Sequence, residues 1–320
     1  MDAEQLPVLF LMGPTAAGKT ELVTTLFDQF NIELISVDAA QVYRRMDIGT
    51  AKPDLSFLRK YPHHLINIKD PDEPYSAAEF RRDAIELINA IHHRGKLPVL
   101  VGGTMFYFSV LEKGLSDLPS ADRRVRDEIM QELDAKGLLH LYQRLIKVDP
   151  VLEQRIKPTD QQRVLRAYEI FKITATPPSV VMSRTRAVGL PNPIVKLALF
   201  TGDRKVLHDR IGLRFQSMME QGLLEEVKGL LSSFDNPEEI PSMKTVGYRQ
   251  PIRYLRGEMT ENEMMESTMA ATRQLAKRQL TWLRQQCNVV WFDVSEQKTE
   301  SVSRYLRANG MLRELIWDRR

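Results

Sequence analysis

The sequence predicts an α/β fold: a central parallel sheet flanked by helices, with an all-helical domain inserted into it. Three observations carry that prediction. Strand-sized apolar runs alternate with helical periodicity through the N-terminal third of the chain. A glycine-rich phosphate-binding pattern sits between the first such strand and the first helix. Between residues 118 and 190 the strand signal disappears, and it returns at IVKLALF (194–200).

The elements follow in order. Residues 7–12 read as a buried strand ending at Gly13, and 19–30 as the helix after it. ELISVD (33–38) alternates into a second strand. Ser76 and Glu79 have the spacing of a capping box, and the helix they open runs to a stop at Gly95. Leu97 begins a third apolar strand that closes on Gly102 and Gly103. From Ser120 to Ile173 the periodicity is helical throughout, with breaks at Gly137, Pro150 and Pro158. The economical organisation is a discontinuous core, 1–117 with 191–320, and a helical insertion at 118–190. Long helices, a short strand at 289–292 and a C-terminal helix complete the chain.

Composition narrows the function classes. The 320 residues are 43% hydrophobic and 27% charged, enough to bury a full core. No apolar run approaches the ~20 residues of a membrane helix. Asp2 and Glu4 near the start, with no basic segment, predict no signal peptide. The single cysteine, Cys287, rules out an internal disulfide and a thiolate zinc site and suits a cytoplasmic protein. His63-His64 and His92-His93 lack the spacing of a helical metal pair and read as structural. The net charge is only +3, but 118–190 holds 13 Lys/Arg against 9 Asp/Glu, and 241–288 holds 8 against 4. Two basic segments hint at a polyanionic partner, although ordinary charged helix faces give the same counts.

Gly13, Pro14, Thr15, Ala16, Ala17, Gly18, Lys19 and Thr20 fit the phosphate-loop pattern GxxxxGK[ST], which predicts a core of the P-loop NTPase-like kind. Glycines let backbone N–H groups face a phosphate, and the following helix start adds partial positive charge. Lys19 offers a mobile cation, and Thr20 an oxygen for Mg²⁺. Asp38 closes the second strand beside this loop, where a carboxylate holds Mg²⁺ through water or accepts a proton; a plain turn aspartate is the alternative. Thr104, after the third strand, opens a helix on the same crevice or merely caps it.

Seven strings occur in order: GPTAAGKT (13–20), DAAQVYRRMDIGTAKP (38–53), YSAAEFRRDA (75–84), GGTMFYF (102–108), QQRVLRA (161–167), VGYRQ (246–250) and ATRQLAKRQLTWLR (271–284). Together they closely resemble the bacterial tRNA dimethylallyltransferase (tRNA isopentenyltransferase) family, over nearly the whole chain from Pro7 to about Phe292. The later strings are far more specific than the phosphate loop. The resemblance implies transfer of a dimethylallyl group from dimethylallyl diphosphate to N6 of adenosine 37 of tRNA, 3′ to the anticodon. It implies that the loop holds the donor's diphosphate with Mg²⁺, that Lys19 and Thr20 stabilise the leaving group, and that Asp38 takes the N6 proton. Thr15 and Arg214 match donor-site positions, and Thr104 a position beside the reacting base.

On the RNA side the resemblance carries Asp38, Ala39, Ala40 and Gln41 onto the anticodon stem-loop, with Gln162, Arg163, Val164, Leu165 and Arg166. Lys244, Thr245, Val246, Gly247, Tyr248 and Arg249 match a third contact segment, and Arg126 a further contact. The insertion is thereby expected to grip the stem-loop, although a solvated helical arginine is the bland alternative at each position. Arg273, Lys277 and Arg284 form a row within about 40° on a helical wheel; it faces RNA, the favoured reading, or flanks the core. Ala39 departs from the family's usual serine, which removes one hydroxyl contact. A lone cysteine excludes the zinc finger that eukaryotic relatives often add. A monomer is expected. A prenyltransferase of free adenine nucleotides, a phosphate-loop small-molecule kinase and an ATP-gated RNA-binding switch are the competing readings.

Overall fold

Among the described residues of the computed structural model (6–116, 118–184, 187–237, 240–295, 299–310 and 312), six strands form one sheet. Asp2 and Glu4 lie outside the described residues. The strands are β1 (Val8–Met12), β2 (Ile32–Val37), β3 (His63–His64), β4 (Leu97–Gly102), β5 (Ile194–Phe200) and β6 (Val289–Asp293). Their order is β3-β2-β4-β1-β5-β6, and every pairing is parallel. Helices α1 (Lys19–Gln29), α2 (Leu55–Lys60), α3 (Ala77–His93) and α4 (Met105–Lys113) belong to the first half of the core. Helices α5 (Arg123–Val148), α6 (Gln161–Thr174) and α7 (Pro178–Arg184) make up the insertion. The second half of the core adds α8 (Arg204–Glu220), α9 (Leu223–Leu231), α10 (Arg249–Leu255), α11 (Glu261–Arg284) and α12 (Thr299–Ala308).

A parallel sheet covered on both faces needs apolar residues on both faces, which is why its strands read as continuous hydrophobic runs. Val8, Phe10 and Met12 pack into one core layer, while Leu9 and Leu11 pack into the other. The same division runs through β2, where Ile35 and Val37 face one side and Ile32 and Leu34 the opposite side. Each such side chain contributes about 1.5–3 kcal/mol on full burial. The capping box at α3 forms in both directions: Glu79 N–H donates to the Ser76 hydroxyl, and Ser76 N–H donates to the Glu79 carboxylate.

The chain divides into two compact units, Met1–Glu112 with Leu190–Arg320, and Lys113–Gly189. The helical unit begins at Lys113, against the expected 118, and ends at Gly189, against the expected 190. Leu190 N–H donates to the Leu111 carbonyl at 3.0 Å, which ties the two flanking ends together on the core. The helical unit has its own core of Ile129, Leu141, Leu145, Leu152, Val164, Ala167 and Tyr168. Gly137 interrupts α5 with φ +79°, and Pro150 opens a short 3-10 turn. Two elements had no forecast, β3 and α2. Each is too short to show a period. No helix among the described residues is long and apolar enough to cross a membrane.

Candidate active site

The parallel arrangement places the C-terminal ends of β1, β2 and β4 together, and with them residues 13–20, Asp38 and Thr104. The phosphate loop turns through two left-handed residues, Ala16 at φ +63° and Gly18 at φ +79°. Glycine takes that conformation without strain, whereas for alanine it costs about 1–2 kcal/mol. Lys19 Nζ donates to the carbonyls of Gly13 at 2.9 Å and Pro14 at 2.8 Å. Burial, with Arg214 alongside, lowers its pKa to about 8, against the opposing pull of Asp38. Arg214 Nη1 donates to the Thr15 hydroxyl at 3.1 Å. Its own pKa is lowered by burial, which Asp38 opposes.

Asp38 Oδ1 accepts the N–H groups of Ala40 at 2.8 Å and Gln41 at 3.2 Å. Its Oδ2 is free of hydrogen bonds among the described residues, so one carboxylate oxygen is fixed and the other is available to a substrate. The Thr104 hydroxyl is turned to Ala39, whose N–H it accepts at 3.0 Å, and so holds the backbone beside the carboxylate. Gln279 of α11 completes the frame. Its Oε1 accepts Thr15 N–H at 2.9 Å, and its Nε2 donates to the Gly103 carbonyl at 2.9 Å. One amide thereby ties the phosphate loop to the turn after β4.

A cleft of about 460 Å³ is lined by Thr15, Lys19, Thr20, Asp38, Arg214 and Gln279, among others. A smaller cavity of about 120 Å³ shares Thr15, Asp38, Arg214 and Gln279 with it. Its remaining walls include Ile211, Phe215, Met218, Val246 and Leu275. A polar, cationic cleft therefore meets a small apolar pocket at the Asp38 carboxylate.

The irregular segment 38–53 is cross-linked far more densely than a surface loop. The Glu226 carboxylate on α9 accepts N–H bonds from Asp47 at 2.9 Å, Ile48 at 2.7 Å and Gly49 at 3.1 Å. Lys52 Nζ donates to the Tyr43 carbonyl, Asp47 and Asn67, each at 2.6 Å. The Gln41 amide donates to the carbonyls of Thr50 and Ala51, at 3.4 and 3.3 Å.

The other residues matched to RNA contacts differ in burial. Lys244, Arg249, Gln162 and Arg163 are exposed, as is Ala39. Tyr248 and Val164 are fully buried, so their side chains serve packing and any contact with RNA at these two positions falls to the backbone. Gly247 is held at φ +103° against Gly49, where a Cβ would lie 2.2 Å from the Gly49 carbonyl oxygen. Thr245 donates to the Ser242 carbonyl, and Leu165 packs against the insertion core. Inside the helical unit, Arg126 Nε and Arg166 Nη1 share the buried Glu169 carboxylate at 2.7 and 2.6 Å. Arg166 also donates to the Pro119 carbonyl. Arg126 keeps 58% of its side chain exposed and Arg163, near Asp160 at 3.4 Å, 64%.

For Mg²⁺ the oxygen donors fit. The exposed Thr20 lines the same cleft as Ser36 and Asp38, and Mg²⁺ normally keeps several waters and few protein ligands. Among the described residues no group of three or more His, Cys, Asp or Glu is placed to hold a metal. His64 instead meets Glu33, and His92 the Pro7 carbonyl.

Gln279, Glu226 and Arg210, which lines the cleft beside Gly18, escape a sequence reading. Gln279 lies inside the 271–284 string beside Arg273, Lys277 and Arg284, and an uncharged amide among them carries no pattern of its own. Glu226 in LLEEVKGLL has the pattern of any solvated glutamate.

Residues 41–286 match the family model described as IPP transferase. A protein of Nitrosomonas eutropha called tRNA dimethylallyltransferase is 48% identical over 91% of this chain and 92% of its own. One of the same name from Nitrosococcus oceani is 50% identical over 91% and 93%. Among solved structures, the tRNA isopentenylpyrophosphate transferase of Bacillus halodurans is 37% identical, covers 97% of each chain and has a TM-score of 0.69. A eukaryotic dimethylallyltransferase described as acting on tRNA is 28% identical, with a TM-score of 0.77 over 95% of this chain and 78% of its own.

Proposed function

The chain belongs to the IPP transferase family, and on that footing we propose that it transfers the dimethylallyl group of dimethylallyl diphosphate to N6 of adenosine 37 of tRNA, just 3′ of the anticodon. The observation that carries this reading is the meeting of cationic cleft and apolar pocket at Asp38. The diphosphate takes the phosphate loop with Lys19, Thr15 and Arg214, and the five-carbon tail takes the pocket walled by Phe215 and Met218. A larger apolar cavity of about 150 Å³ is known to hold benzene, so 120 Å³ suits a five-carbon unit.

The exocyclic amine of adenine is a poor nucleophile because its lone pair is delocalised into the ring. Asp38 Oδ2 accepts an N6 hydrogen bond and takes the proton as N6 bonds to C1 of the donor. The C1–O bond breaks in the same event, and its electron pair leaves with the diphosphate. Lys19 and Arg214 face that developing charge in a desolvated setting, where fixed cations count most. Thr20, with Asp38 and Ser36 nearby, would hold Mg²⁺, which when bound supplies charge neutralisation on the diphosphate. The target base must leave its stack to reach Asp38. Lys244 and Arg249 of the core, and Arg126 and Arg163 of the helical unit, meet the phosphates of the anticodon stem-loop. A tRNA substrate suits a cytoplasmic enzyme.

The test is incubation with bulk tRNA and dimethylallyl diphosphate, without ATP. The expected result is a mass gain of one prenyl unit on tRNA with release of diphosphate. Phosphate transfer from ATP with no prenyl gain would overturn the reading in favour of a kinase.

A further inference from the structure

Gln279 divides α11 into two unlike borders. On a helical wheel Trp282 and Arg278 lie about 60° and 100° from it on one side, and Arg273, Arg284 and Lys277 about 120–160° away on the other. The row picked out in the sequence is thus the far one. The near border carries an aromatic ring and a cation. Trp282 packs edge-on against Phe106, with ring centroids 6.4 Å apart and planes at 71°. Phe106 is the second residue of α4, two beyond the Thr104 hydroxyl that holds Ala39, and it is 50% exposed. Arg278 is exposed, one turn before Trp282, and makes no ion pair or hydrogen bond through its side chain among the described residues.

An exposed phenylalanine needs no explanation by itself. Here it is buttressed by a tryptophan, accompanied by an unpaired arginine, and covalently two residues from a contact to the backbone beside Asp38. Unstacked bases are recognised on such surfaces, by aromatic faces with a cation for the adjoining phosphate.

Resting on the transfer reading above, we propose that Phe106 and Trp282, with Arg278, form a stacking step for an unpaired nucleobase of the RNA loop next to the base that enters the cleft. Extruding one base leaves its neighbours without a stacking partner, and the step replaces that partner on the protein. Arg273, Lys277 and Arg284 have no part in it.

The experiment measures anticodon stem-loop affinity and prenyl transfer on the same preparations. Phe106→Ala is expected to weaken stem-loop binding by about 5- to 150-fold, the range of one base–aromatic stack. The loss falls on KM for the RNA and not on KM for dimethylallyl diphosphate, and Phe106→Trp restores affinity. Arg278→Ala lowers the salt dependence of binding by about 0.7–0.9 in slope. In a protein whose other tryptophans are replaced, Trp291→Phe with Trp317→Phe, the emission of Trp282 changes with stem-loop titration. Unaltered affinity in Phe106→Ala, or constant Trp282 emission across a saturating titration, overturns the step. Self-association that vanishes in Phe106→Ala, with RNA binding intact, assigns the face to a second copy and also overturns it. A parent protein that fails to prenylate tRNA sinks the transfer reading instead, separately from these affinities.

Discussion

The Tyr248 hydroxyl donates a 2.6 Å hydrogen bond to the Glu226 carboxylate, which also accepts three successive backbone N–H groups from residues 47–49. Tyr248 is fully buried, and burial together with the charge of Glu226 raises its pKa, so the phenol stays a neutral donor. Through this pair, α9 and the segment before α10 are clamped onto the segment that follows Asp38.

Glu226→Gln puts an amide N–H₂ where at least one backbone N–H needs an acceptor. It is expected to destabilise the protein by about 1–3 kcal/mol, with Tyr248→Phe milder at about 0.5–1.5 kcal/mol, since Glu226 then keeps its three backbone N–H donors. Gly49 and Thr50 line the apolar pocket, so KM for the donor should also rise in Glu226→Gln. Denaturant melts and donor titrations check both effects.

Asp38→Asn retains size and the Ala40 and Gln41 N–H bonds but cannot take a proton. Single-turnover transfer should fall by about 10²–10⁴-fold, the usual cost of losing a general base, while stem-loop binding persists. A near-parental rate in rapid-quench measurements would remove Asp38 from the proton's path.

Lys19, at about 8, is charged below that pH and neutral above it. At low donor concentration kcat/KM should therefore decline as pH rises through about 8, and Lys19→Arg should remove that limb. The bound diphosphate favours the charged form, so the corresponding limb in kcat belongs at higher pH. Initial rates across pH 6–10 at limiting and saturating donor decide it.

Arg126 and Arg166 share Glu169, but Arg126 is the more exposed and Arg166 is also bonded to the Pro119 carbonyl, so the two substitutions differ in kind. Arg126→Ala removes an exposed cation and should flatten the salt slope of tRNA binding by about 0.7–0.9 per lost phosphate contact, as should Arg163→Ala. Arg166→Ala unpairs a buried carboxylate from its closest partner and should register chiefly as lost stability. Binding isotherms at several salt concentrations, with melts alongside, separate these effects.

The parts legible in the sequence are those whose signal is local. Phosphate loop, capping box and apolar runs each announce themselves within about a dozen residues, and β5 coincides with its apolar run. Asp38 is legible because a strand end beside that loop is a chemically loaded position. Gln279 is not, because its partners Thr15 and Gly103 lie 264 and 176 residues away and an amide carries no pattern of its own. Tyr248 illustrates the converse. A tyrosine inside a matched string reads as a contact until the packing shows it inside the core.

The hydrogen bond from Leu190 to Leu111 gives the helical excursion neighbouring endpoints on the core. Closure entropy grows only slowly with the length of chain between two joined points. Lengthening, trimming or replacing what lies between them therefore makes little demand on the sheet, which keeps the same endpoints throughout. The excursion is in that sense an exchangeable cassette: its size and surface can change while the geometry around Asp38 stays under separate constraint.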